Sequence, residues 1–172
     1  METYTLLPFI VRVGVFMNEN KFFTFSEYMK KDDNVLTASM EDYMEMIYRL
    51  SMESHFTRVN ELSEALNVQP PSVTKMIQKL SKLKLLKYEK YGVIILEDRG
   101  IKIARKLIDR HNTIAKILKI LGVNENNILE ETEKMEHTID EQTIQCFNNF
   151  INFVDDNPDI YLKFKDQISK NK

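Results

Sequence analysis

Pro70 and Pro71 stand back to back in the middle of the chain, and they dictate where a helix begins. Proline has a preset φ and no N–H, so it suits the first turn of a helix and disrupts later positions. Val73, Met76, Ile77 and Leu80 then recur at i, i+3, i+4 and i+7, the stripe of a helix with one face in a core. The opposite face carries Ser72, Thr74, Lys75, Gln78, Lys79 and Lys82. Upstream, Asn60 is expected to cap a shorter helix with Leu62, Ala65 and Leu66 inward, and Asn67-Val68-Gln69 makes the turn. Downstream, Leu86–Tyr91 and Val93–Leu96 read as two short strands with Gly92 at or near their turn. A helical hairpin with a solvated basic face would share the helix pattern. The β-hairpin that follows it makes the segment a winged helix-turn-helix, a unit that lays its second helix in a DNA major groove.

The rest of the chain reads as helix. Gly and Pro number only four each, which favours a mainly α fold. Ser39 with Asp42 resembles a capping box for a helix that runs to about Met52, with Tyr43, Ile47 and Leu50 on one face and a loop over 53–57. Asp98 caps a long helix to about Leu121, where Gly122 stops it. Asn124 opens the next helix, and further helical stretches cover roughly 139–153 and 159–170. Net charge is −2, but it is unevenly placed: residues 58–110 hold twelve Lys and Arg against six Asp and Glu, and both flanks are acidic. A basic centre is what phosphate contact needs.

Three stretches hold six potential metal ligands. Asp42 and Glu45 are i, i+3; His111 stands alone; Glu133, Glu136 and His137 are i, i+3, i+4. On a helix each set shares a face. Singly, each has a plainer role. Asp42 favours a helix N-terminus, the glutamates suit a solvated face, and His111 suits a hydrogen-bonded histidine. His55 has no companions and reads as a loop residue.

The segments SMEDYMEMIYRL, ALNVQPPSVTKMIQKL, YEKYGVIILEDRG, RHNTIAKIL and ETEKMEH, in this order and spacing, closely resemble the manganese transport regulator branch of the diphtheria toxin repressor family over residues 36–165. The resemblance implies a mainly α fold: an N-terminal winged helix-turn-helix with a two-stranded wing, then a helical dimerisation domain, with no SH3-like domain. Residues 1–35 would be an extension, 36–106 the DNA-binding domain with the start of a linking helix, and 107–172 the metal-binding and dimerisation domain. It implies metal ligation by Asp42, Glu45, His111, Glu133, Glu136 and His137, by two Mn(II) ions per protomer, with Glu136 or Glu133 as the bridging carboxylate. Four carboxylates and two imidazoles, with no sulfur, suit a hard ion that raw affinity cannot select.

By the same resemblance Gln69, Pro71, Lys75 and Gln78 face the DNA groove, where Gln suits adenine, Lys suits guanine and Pro meets a thymine methyl. Ser72, Thr74 and Lys79 suit phosphate. The implied partners are a near-palindromic operator and a second copy of the chain, and the implied function is repression of manganese uptake genes. The wing turn departs from close relatives: YGVII lacks their Arg-Gly, and Glu97-Asp98 follow it, which weighs against phosphate contact by the wing.

Other classes fit less well. A catalytic di-metal bundle needs paired Glu-x-x-His motifs, and this chain has Glu133-x-x-x-His137 with no second Glu-x-x-His. No Gly-rich phosphate loop and no nucleophile–base pair stands out, so neither enzyme activity nor a small-molecule substrate is expected. An iron- or zinc-responsive regulator and a metal-independent winged-helix protein are the remaining alternatives. The single cysteine, Cys146, fits a reducing compartment and is expected as a small buried apolar residue. Residues 5–16 are apolar but too short to span a bilayer, and no signal-peptide pattern follows, so a cytoplasmic location with no membrane partner is expected. Regular patterning begins near Leu36, which fits a translation start at Val35 or Leu36.

Overall fold

The structure, a computed structural model, describes residues 36–170 apart from the side chain of Lys90. The readings made for residues 1–35 lie outside the described residues. Among the described residues seven α-helices and three short strands follow in order: α1 (Ala38–Leu50), β1 (Thr57–Arg58), α2 (Val59–Ala65), α3 (Pro70–Lys82), β2 (Leu86–Tyr88), β3 (Val93–Leu96), α4 (Asp98–Leu121), α5 (Glu125–Glu136), α6 (Glu141–Asp156) and α7 (Pro158–Lys170). Among the described residues no helix is long and apolar enough to cross a membrane.

The mainly α architecture expected from the sequence is present, with α3 beginning at Pro70. Its apolar stripe is buried: Val73, Ile77 and Leu80 have no exposed surface. They pack with Tyr43, Met44 and Ile47 of α1, Leu62 of α2, and Leu85, Leu86 and Ile94 of the sheet region. Full burial of side chains of this size stabilises by about 1.5–3 kcal/mol each before entropy is counted. Gln69, Pro71, Ser72, Lys75, Gln78 and Lys79 lie exposed on the other side of α3, and Thr74 is half-buried with its hydroxyl donating to the Pro70 carbonyl at 3.0 Å.

The two-stranded wing, β2 and β3, is present, and among the described residues β1 joins it as a third strand. The strand order is β1-β3-β2, all antiparallel, with Thr57 opposite Ile94 and Leu86 opposite Leu96. The segment 53–57, expected as loop, ends in β1 because its backbone finds the free edge of β3. The wing turn is wider than expected: β2 stops at Tyr88 rather than Tyr91, Glu89 N–H donates to the Val93 carbonyl at 2.9 Å, and Lys90–Gly92 form one 3₁₀ turn. Tyr91 adopts φ 63° there and leaves its ring 90% exposed.

Several helix starts differ from expectation. Thr37, not Ser39, caps α1, accepting from the Met40 N–H. At α2 the Glu61 carboxylate accepts from the Arg58 N–H at 3.0 Å and the Thr57 hydroxyl at 2.8 Å, so the helix begins before Asn60. Ala65 is exposed rather than inward, because Leu62 and Leu66 already fill that face. Glu97 occupies the N-cap position of α4 without a side-chain capping hydrogen bond, and Asp98 lies in the first turn. Gly122, at φ 86°, ends α4 in the left-handed conformation as expected. Cys146 is exposed, because α6 turns Phe147, Ile151 and Val154 inward against Ile117 and Ile120 of α4.

Helix α4 runs through both cores, which makes its seating decisive. Gly100 in its first turn lies against the backbone of Leu85; a Cβ there would stand 2.0 Å from the Leu85 carbonyl oxygen. That oxygen also accepts from the Glu97 N–H at 3.0 Å, so it cannot retreat freely. Gly100→Ala is therefore expected to cost about 3 kcal/mol in urea unfolding of the metal-free protein. An unchanged unfolding midpoint would show that the α4 start has room the structure lacks.

Candidate metal centre

Helices α1, α4 and α5 converge on one carboxylate. Glu136, the last residue of α5, is 3% exposed. It belongs to two groups of potential ligand atoms, each group lying within 4.8 Å: Asp42 with Glu136 and His137, and Glu45 with His111 and Glu136. Asp42 and Glu45 come from α1, where i, i+3 spacing sets them on one face, and His111 comes from the middle of α4. His137 follows Glu136 directly as the C-cap residue of α5, still in the right-handed helical region.

The distances are short enough for direct polar contact. His111 Nδ1 lies 2.8 Å from one Glu136 oxygen and 3.8 Å from Glu133 Oε1. His137 Nε2 lies 3.0 Å from Asp42 Oδ1 and 3.6 Å from the other Glu136 oxygen. Glu133 stands at the rim, its side chain 54% exposed, and falls in neither ligand group. Glu45 is held by Arg49 of its own helix at 2.5 Å.

So much negative charge in one place shifts protons. Hydrogen bonds to Asp42 and Glu41 push the His137 pKa up to about 10. The hydrogen bond to Glu136 raises that of His111. Burial, then the neighbouring Glu136, raises that of Glu133. Without metal, His137 therefore keeps its positive charge at neutral pH, beside Asp42 and Glu136. The donors are carboxylate oxygen and imidazole nitrogen, with no sulfur, which fits a hard or borderline divalent ion.

Two family profiles match the chain in tandem: the iron dependent repressor N-terminal DNA binding domain over residues 35–94, and the iron dependent repressor metal binding and dimerisation domain over 97–164. The chain belongs to the iron-dependent repressor family. Within it the chain falls in the manganese transport regulator branch. It is 42% identical over 120 residues to the HTH-type transcriptional regulator MntR of Oceanobacillus iheyensis, which covers 70% of this chain and 82% of that protein. It is 40% identical over 136 residues to the MntR of Bacillus pumilus, covering 79% and 94%. Among solved structures, that of the manganese regulator SloR matches with a TM-score of 0.59 at 28% identity, over 69% of this chain and 55% of the other. This chain thus spans about half the length of that structure. As a family member it is a transcriptional regulator, with a DNA-binding domain followed by a metal-binding and dimerisation domain.

Sequence reasoning missed two residues at this centre. Glu41 Oε2 accepts from Arg110 Nη2 at 2.5 Å and lies 2.8 Å from His137 Nδ1. Burial by itself would raise the Glu41 carboxyl, but the hydrogen bonds from His137 and Arg110 outweigh it and hold it below the usual carboxylate range. The available signal was the Glu41-Asp42 doublet at the start of an amphipathic helix. Nothing local links it to Arg110, 69 residues away.

Proposed function

We propose that this protein is a manganese-responsive, DNA-binding transcriptional repressor of manganese uptake genes, in which two Mn(II) ions per protomer lock the DNA-binding part to the dimerisation part. One observation carries the reading: Glu136 is shared by two ligand groups whose members come from α1, α4 and α5. Asp42, Glu136 and His137 would hold one ion, and Glu45, His111 and Glu136 the other, with Glu133 near enough to His111 to join the second. Glu136, rather than Glu133, would then be the ligand common to both. A bound divalent ion would supply positive charge among four carboxylates, Asp42, Glu45, Glu133 and Glu136, in place of the proton that His137 carries without it.

The fold turns that local charge balance into DNA affinity. Asp42 and Glu45 sit on α1, which packs against the winged helix-turn-helix core through Tyr43, Met44 and Ile47. Glu136 sits on α5, beyond the long helix α4. Tying α1 to α5 fixes the recognition helix α3 relative to the dimerisation part. In a homodimer the two copies of α3 then have a fixed separation, and successive major grooves require about 34 Å. A looser metal-free dimer has to be ordered on the DNA, and a coupling of ~1–3 kcal/mol changes affinity roughly 5–150-fold. Exposed apolar side chains on the last two helices, Phe150, Phe153, Ile160 and Leu162, support a second copy of the chain as partner. The domain division is residues 36–106 and 107–172, and the place of action is the cytoplasm.

The test is fluorescence anisotropy with a labelled promoter fragment from a manganese-importer gene, at fixed salt. Chelator, Mn²⁺, anaerobic Fe²⁺ and Zn²⁺ are compared. Mn²⁺ is expected to tighten binding at least tenfold over chelator. Equal binding in chelator would leave a metal-independent DNA-binding protein, and a stronger response to Fe²⁺ or Zn²⁺ would reassign the effector.

A further inference from the structure

Glu41 belongs to neither ligand group, yet it joins the same three parts of the fold. It sits on α1; Arg110 reaches it from α4; His137 reaches it from the end of α5. We propose that Glu41, clamped by Arg110, is a positioning residue that sets the His137 ring so that Nε2 faces the metal centre. The proposal rests on the metal-centre reading above.

The two ring nitrogens of His137 face different groups. Nδ1 lies 2.8 Å from Glu41 Oε2, while Nε2 points between Asp42 Oδ1 at 3.0 Å and Glu136 Oε1 at 3.6 Å. A neutral imidazole carries one proton and one lone pair. A carboxylate that accepts the Nδ1 proton leaves the lone pair on Nε2, the nitrogen that faces the ligand group. The ring cannot flip without losing both contacts at once.

Arg110 explains why Glu41 positions rather than ligates. The same oxygen, Oε2, takes the guanidinium at 2.5 Å, and the two side chains are only 12% and 19% exposed. A partly buried ion pair at this distance holds the carboxylate firmly, because water competes poorly for either charge. Arg110 Nη2 is given to Glu41, while its Nε is buried with no hydrogen-bond partner among the described residues. Glu45 is the contrast. Its partner Arg49 is 44% exposed and four residues along the same helix, free to swing into water when Glu45 takes an ion.

The test measures Mn²⁺ affinity by the electron paramagnetic resonance signal of the free ion, on the full chain, for wild type, Glu41→Ala, Glu41→Gln and Glu136→Ala. Glu41→Ala is expected to weaken Mn²⁺ binding roughly 10–100-fold, the usual effect of losing an outer hydrogen-bond partner of a ligand. Glu41→Gln, whose amide oxygen can still accept from Nδ1, is expected to recover most of it. A second readout is ¹⁵N nuclear magnetic resonance of the histidines with diamagnetic Cd²⁺ bound. His137 should be metal-bound at Nε2 with its proton on Nδ1 in wild type, and Glu41→Ala should lose that single pattern. Glu41→Ala within about threefold of wild type, or Glu41→Gln as weak as Glu41→Ala, would overturn the positioning role. If instead Glu136→Ala bound Mn²⁺ as wild type does, the metal centre itself would be overturned, and the inference with it.

Discussion

Glu136→Ala is expected to abolish the Mn²⁺ response: affinity falls more than ~100-fold, and DNA binding in Mn²⁺ drops to its level in chelator. The magnitude has a lower bound, because even outer partners of ligands are typically worth 10–100-fold, and Glu136 is a member of both ligand groups. Its removal leaves the first pocket with Asp42 and His137 and the second with Glu45 and His111. Each pair comes from two different elements and lacks the buried residue between them. Glu133→Ala should do much less damage, since its side chain is 54% exposed and lies 3.8 Å from His111 Nδ1. Calorimetric titration with Mn²⁺ gives the affinities, and anisotropy gives the DNA response. A Glu136→Ala protein that still answered to Mn²⁺ would sink the shared-carboxylate reading. Reversed sensitivities would move the bridge to Glu133.

What could be read from the sequence follows the range of the forces involved. Helix α3 was legible because Pro70 fixes its start and four apolar residues fix its buried face, all within eleven residues. The end of α4 was legible because Gly122 takes a conformation that side chains resist. Strand β1 was not, because two residues become a strand only when β3, more than thirty residues on, offers its edge. Caps were misplaced by a residue or two wherever several polar side chains competed within one turn, as Thr37 does with Ser39 and Glu61 with Asn60. The ligands on α1 and α5 announce themselves by helical spacing. Their partition between two groups does not, since it depends on how closely three helices approach. The role of Glu41 was hidden for the same reason: its two partners arrive from α4 and from the end of α5.

Lys75→Ala is expected to separate the two activities: DNA affinity falls by ~1–3 kcal/mol while Mn²⁺ affinity stays unchanged. Lys75 is exposed on α3, on the side opposite the buried Val73, Ile77 and Leu80, so truncation should leave folding stability within about 0.5 kcal/mol. It is also absent from both ligand groups, which draw on α1, α4 and the end of α5. Its contact class can be read from salt. A phosphate contact would weaken binding to all sequences alike and lower the slope of log affinity against log salt by about one. A guanine contact would cost most on the preferred site and relax its specificity. Wild-type DNA affinity in this variant would remove α3 from the reading role and leave the exposed wing, with Tyr91 at its tip, as the next surface to test. Loss of Mn²⁺ affinity alongside DNA affinity would point to a folding defect, because no described contact links Lys75 to the centre at Glu136.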